Sequence, residues 1–176
     1  MNTRLIILSD LWGIQNSVWE MEYINELSKH FVVNYYDSCQ LANIETDGLN
    51  ETKIHELFVA DGINIACANL CKLEPTPVHI LAFSIGGTIA WKAGLNGLKI
   101  KTLFALSSTR LRYETEQPNG YLKCFFGEND IYRPSSRWSN SLDIVVDILQ
   151  NETHNLYTTP KYITQITQEL IEIINN

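Results

Sequence analysis

Ser84 stands in Ala82-Phe83-Ser84-Ile85-Gly86-Gly87, between an apolar run, Val78 to Phe83, and a helix-forming run, Ile85 to Leu95. A serine hydroxyl becomes a useful nucleophile when an imidazole takes its proton, and that imidazole needs a carboxylate to fix its tautomer and stabilise its cation. Ala82 and Gly86, two places to either side of Ser84, are small where a sharp strand-to-helix turn brings two backbones together. A carboxylate candidate is Asp130, in Gly127-Glu128-Asn129-Asp130-Ile131-Tyr132-Arg133-Pro134, directly after the apolar run Tyr121 to Phe126. The imidazole candidate is His154, the only histidine in the last third of the chain, in Asn151-Glu152-Thr153-His154. Serine, aspartate and histidine in this order point to acyl transfer through a covalent acyl-serine. The turn at Ser84 also fits an ordinary strand-to-helix loop or a Gly-rich phosphate turn, but a nucleotide-binding domain requires Gly-x-Gly-x-x-Gly after the first strand, and that pattern is absent.

Three distant stretches can converge only if strands and helices alternate. Arg4 to Leu8 reads as a buried strand, followed by a helix opened by the capping box Ser17-Val18-Trp19-Glu20, with Val18, Met21, Ile24, Leu27 and Phe31 as its inward stripe. Phe31 to Tyr36 reads as a second strand. After a polar connection over residues 38–49, Ile54, Leu57, Phe58, Ile63, Cys67, Leu70 and Cys71 predict a helix up to Pro75, strained at Gly62. Val78 to Phe83 is the third strand, and Ile85 to Leu95 a helix ended by Asn96-Gly97. Further strands follow at Ile100 to Leu106, Tyr121 to Phe126 and Ile144 to Leu149, before a last helix capped by Thr159, opened by Pro160 and turning Ile163, Ile166, Leu170 and Ile173 inward. Such alternation predicts a mostly parallel sheet of about six strands with helices on both faces, whose ligands sit beyond the carboxyl ends of the strands.

Composition narrows the function class. With 45% hydrophobic residues over 176, the chain is expected to form one domain spanning residues 1–176. Its net charge of −7, with 13 Lys and Arg spread along it, argues against a nucleic-acid partner. The apolar run before Asp10 is too short for a signal peptide or membrane span, so a cytoplasmic location without membrane association is expected. Cys39, Cys67, Cys71 and Cys124 lack the dense spacing of a disulfide scaffold and read as free thiols. His30, His55 and His79 read as structural or surface residues; no metal and no cofactor is expected. Trp19, Trp91 and Trp138 fit either a core or an acyl site, and Glu128 is the competitor of Asp130 for the acid role.

Over nearly its whole length the sequence resembles the α/β-hydrolase superfamily, and within it the esterases that demethylate pimeloyl-acyl-carrier-protein methyl ester in biotin synthesis. The likeness rests on Leu11-Trp12-Gly13-Ile14-Gln15-Asn16-Ser17-Val18-Trp19, on the elbow at Ser84 and on the Gly127-to-Pro134 turn. It implies a serine carboxylic-ester hydrolase, acting on a small or carrier-bound acyl ester or thioester, with an acyl carrier protein as a partner. It also implies an oxyanion hole made by the amides of Ile85 and Trp12, each donor contributing on the order of 3 kcal/mol. The family's His-Gly pair is replaced by Asp10-Leu11, which bears on the geometry of that hole. A non-catalytic hydrolase-like binding protein is the alternative. Only Ser107 to Gly120 separates the fourth and fifth strands, too short for a helical cap. Arg110, Arg112, Arg133 and Arg137 lie in loops expected near the site, as a carrier-docking cluster or as solvated surface charge.

Overall fold

The computed structural model describes residues 3–15 and 17–176. Six parallel strands form one sheet in the order β2-β1-β3-β4-β5-β6: β1 (Arg4–Leu8), β2 (Val32–Tyr36), β3 (Val78–Phe83), β4 (Ile100–Leu106), β5 (Tyr121–Gly127) and β6 (Val145–Leu149). The central β3 is buried throughout, as its apolar run, interrupted only by His79, requires, whereas the edge strands β2 and β6 are only partly covered.

Strand alternation sorts the core into two layers. Ile6, Leu8, Ile80, Ala82, Leu103 and Ala105 face α2 (Ser38–Leu41), α3 (Glu51–Leu57), α4 (Ile63–Leu73), α5 (Ile85–Leu95) and α6 (Ser136–Leu142). Leu5, Ile7, Leu81, Phe83, Phe104 and Phe125 face α1 (Val18–Leu27) and α7 (Pro160–Asn175). Each neighbour along a strand therefore anchors a different helix layer. The α7 reading holds: Thr159 precedes Pro160 as N-cap, and Ile163, Ile166 and Leu170 are buried, with Ile173 partly so.

Several expectations are corrected. Of the expected stripe of α1, Ile24 and Leu27 pack inward and Phe31 is buried just beyond the helix, but Glu20 and Tyr23 take the place of Val18 and Met21, which are 77% and 37% exposed. The reason is polar: Glu20 accepts from the Ser17 amide at 2.8 Å, the Ser17 hydroxyl at 2.9 Å and the Tyr35 hydroxyl at 2.6 Å, which turns that face toward the sheet. The polar connection contains α2, capped by Asp37, and the segment before β6 contains α6, capped by Ser135. The strain expected at Gly62 is a π-turn, Phe58–Gly62, joining α3 to α4, where a Cβ on Gly62 would lie 2.9 Å from Ile44. Between β4 and β5 there is a single 3₁₀ turn, Thr109–Tyr113, and no cap. No helix among the described residues is long and apolar enough to cross a membrane.

Candidate active site

The strand order reverses between β2-β1 and β3-β4, so a crevice opens at the carboxyl ends of β1 and β3. Ser84 occupies the turn there with φ 48° and ψ −114°, a conformation costing a non-glycine residue about 1–3 kcal/mol. Its amide is pinned to the Leu106 carbonyl at 2.7 Å. The surroundings demand the flanking glycines. A Cβ on Gly86 would sit 2.5 Å from the Ser9 carbonyl oxygen, and one on Gly87 1.9 Å from Ser108 Oγ.

Asp130 and His154 converge on this turn. Ser84 Oγ lies 3.0 Å from His154 Nε2, and His154 Nδ1 lies 2.8 Å from Asp130 Oδ2. The Tyr132 amide donates to Asp130 Oδ1 at 3.0 Å, fixing the carboxylate plane. Burial alone would raise the Asp130 pKa, but the hydrogen bond with His154, the Tyr132 amide and the charges of His154 and Arg112 together hold it below the ordinary carboxylate value. It is therefore anionic at neutral pH beside the His154 ring.

Backbone contacts set the histidine's position. The Ser107 hydroxyl donates to the His154 carbonyl at 2.6 Å, from a left-handed residue (φ 51°) at the end of β4. Gly127, at the end of β5, has the Glu152 and Thr153 carbonyl oxygens where a Cβ would be, at 2.5 and 2.4 Å. Neither role was read from sequence; Ser107-Ser108 at a strand's carboxyl end was the available signal. Glu128 is taken by a structural contact, accepting from the Asn151 amide at 3.0 Å.

Of the two expected oxyanion donors, Ile85 is the first residue of α5, so its amide has no partner within the helix. Trp12 lines the same cavity as Ser84 and Ile85, but its amide donates to Asp10 Oδ1 at 2.9 Å. Asp10 is 6% exposed and its other oxygen accepts from the Tyr157 hydroxyl at 3.2 Å. Burial raises the Asp10 pKa, against the Trp12 and Tyr157 hydrogen bonds.

Ser84 and His154 open into a cavity of about 650 Å³, walled by Trp12, His55, Phe58, Thr88 and Arg110 among others. Partial burial and the charges of Arg110 and Arg112 hold His55 below the ordinary histidine value. Arg133 and Arg137 are not part of the wall. The tryptophans divide: Trp19 packs edge-on against Phe83 beneath the Ser84 turn, while Trp91 and Trp138 lie 5.9 Å apart and donate to the Glu116 and Glu114 carbonyls, fastening the β4–β5 connection. The cysteines are free, and burial pushes the Cys67 thiol up to about 12, so it packs rather than reacts. Among the described residues, no three His, Cys, Asp or Glu side chains come together as a metal site requires. His79 sits at the amino end of β3, far from Ser84 along the strand.

Neither a protein-family model nor a curated protein sequence matches the chain. Solved structures do. Alpha/beta hydrolase domain-containing protein 10 from mouse is similar over 99% of this chain and 90% of its own, with a TM-score of 0.69 at 12% identity. Est1E from Butyrivibrio proteoclasticus is similar over 98% and 86%, with a TM-score of 0.65 at 11% identity. A carboxylesterase of the thaumarchaeon Nitrososphaera gargenis is similar over 99% and 91%, with a TM-score of 0.62 at 12% identity. At these identities the likeness bears on the fold alone: the chain has an α/β-hydrolase fold in minimal form, without a cap.

Proposed function

We propose that this protein is a serine hydrolase that cleaves a carboxylic ester or thioester through an acyl-enzyme. The observation that carries the reading is the unbroken Ser84–His154–Asp130 hydrogen-bond chain, at 3.0 and 2.8 Å, with its serine on a strained turn facing a cavity. In this mechanism Ser84 Oγ attacks the substrate carbonyl carbon while His154 Nε2 takes the hydroxyl proton. The carbonyl electron pair moves onto oxygen, beside the Ile85 amide. Collapse of the tetrahedral adduct expels the alkoxide or thiolate, which receives the proton from His154. Water then attacks the acyl-serine by the same route in reverse order, releasing the acid. Asp130 holds the imidazole in the tautomer that presents a bare Nε2 to Ser84.

The fold, shared with hydrolases and a carboxylesterase, is compatible with this class of reaction. A narrower form of the proposal is an esterase of the pimeloyl-acyl-carrier-protein methyl ester type, supported by the resemblance over Leu11 to Trp19 and at Ser84 and Asp130. An acyl carrier protein would then be the partner. One observation favours the binding-protein alternative: the Trp12 amide is already engaged by Asp10. Reaction with a fluorophosphonate probe separates the two. Labelling at Ser84, abolished in Ser84→Ala, is the expected result; folded protein that takes no label would overturn the catalytic reading.

A further inference from the structure

The wall of the cavity carries two polar groups that the proposed mechanism leaves idle. Thr88, one turn along α5 from Ser84 and so about 6 Å further along the axis, is 1% exposed. Its hydroxyl is buried without a hydrogen-bond partner, and the residue forms part of the cavity wall, so a turn about χ1 is what brings the hydroxyl to the cavity. A buried hydroxyl without a partner costs stability unless something else fills the role. Arg110 is half-buried on the 3₁₀ turn that packs against α5. No ion pair among the described residues includes it, and its aromatic neighbour is the Tyr113 ring at 5.3 Å.

Arg112, by contrast, is occupied. It donates to the Thr109 and Tyr132 carbonyls and lies on the Tyr113 ring at 4.3 Å, with its charge felt by Asp130. His55, on the exposed edge of the same cavity, adds a donor and no negative charge, while Glu51 supplies an opposing charge at the exposed rim. A guanidinium cannot shed its proton, so a half-buried one without a carboxylate calls for an anion, and a planar carboxylate matches its fork of donors. That the overall charge is −7 makes this local cation the more specific feature.

Resting on the reading of Ser84 as nucleophile, we infer that the cavity contains a subsite for a carboxylate held a short chain away from the scissile carbonyl, with Arg110 as its counter-ion and Thr88 as a hydrogen-bond donor. The substrate class is then a short ester or thioester bearing a free carboxylate. The carboxylate takes no part in bond making; it selects and orients.

Two pairs of probes locate the carboxylate. Monomethyl adipate carries it on the acyl side and 4-acetoxybutanoate on the alcohol side; dimethyl adipate and methyl 4-acetoxybutanoate are their neutral counterparts. Wild-type protein is expected to prefer one anionic member over its counterpart by about tenfold or more in kcat/KM. In Arg110→Gln that ratio falls to near one, and in Arg110→Lys it is partly kept. Binding by calorimetry to Ser84→Ala, with and without Arg110→Gln, reads the subsite without turnover. Thr88→Val, which keeps the volume, lowers the same preference, and Glu51→Gln raises it. Equal treatment of both members of both pairs, or a preference that survives Arg110→Gln, overturns the subsite. Labelling of Ser84 by a fluorophosphonate alongside either of those results would leave the hydrolase reading standing. Absence of labelling with a carboxylate preference in binding would leave the subsite and remove the hydrolase.

Discussion

The Trp12 amide donates to the Asp10 carboxyl at 2.9 Å, beside the space where the proposed oxyanion would form. Asp10 is buried, its second oxygen engages Tyr157, and burial raises its pKa. A group whose pKa is higher in the folded than in the unfolded protein contributes stability that is complete below its unfolded pKa and is lost as pH rises through the folded one. Asn in this place can accept from the Trp12 amide through Oδ1 and donate from Nδ2 to the Tyr157 oxygen, reversing the second bond, without a charge. Asp10→Asn is therefore expected to raise Tm at neutral pH by about 2–4 °C, with the gain shrinking as the pH approaches about 4. Thermal unfolding as a function of pH checks this; a gain independent of pH would contradict it.

Ser84 is held at φ 48°, where glycine is at ease and other residues are not. Ser84→Gly is expected to stabilise the fold by roughly 1 kcal/mol while lowering kcat by about 10³-fold or more. Ser84→Ala shares the loss of turnover without the gain in stability. Retained turnover in either variant would remove Ser84 from the mechanism.

His154 and Asp130 form one unit, so their losses are not expected to add. Asp130→Asn should cost no more than His154→Ala, and the double variant should be little worse than His154→Ala alone. Multiplicative losses in steady-state kinetics would mean that the base lies elsewhere.

The lowered pKa of Asp130 makes a separate prediction for the fold. Its ionised form is favoured in the folded protein, so its contribution is complete above the unfolded pKa and is lost as pH falls through the folded one. Asp130→Asn is expected to lower Tm at neutral pH, with the gap to wild type closing below about pH 4. An undiminished gap in acid would deny Asp130 this role.

Gly127→Ala tests the backbone that carries His154. The new methyl would meet the Thr153 and Glu152 carbonyls at 2.4 and 2.5 Å, so the loop must shift away from β5 and carry His154 from Ser84. A fall in kcat of about tenfold or more is expected with far-ultraviolet circular dichroism preserved, since about 1 Å of misplacement costs that much or more. Full activity in a folded variant would show that the loop accommodates the methyl without moving the imidazole.

Much of this arrangement is written locally in the chain. The apolar runs at Arg4–Leu8, Val78–Phe83 and Ile100–Leu106 can be buried only as strands of a covered sheet, and small residues at Ala82 and Gly86 mark a turn that large side chains would break. The chain order of Ser84, Asp130 and His154, each just past a strand, was therefore readable, because a parallel sheet delivers every strand's carboxyl end to one edge. How the first turn of α1 faces the core was not. Val18 and Met21 have the right periodicity, but the donors that meet the Glu20 carboxylate include Tyr35 on β2, and their convergence exists only after folding. The same holds for the Trp12 amide: its partner Asp10 is two residues away, yet what fixes the carboxyl is Tyr157, far along the chain. Side-chain type and spacing are local properties, and the sequence by itself determined the six strands, the longer helices and the candidate reacting groups, but not the short α2 and α6. Burial, charge environment and the choice of hydrogen-bond partner depend on contacts between distant segments, and those only the tertiary structure decided.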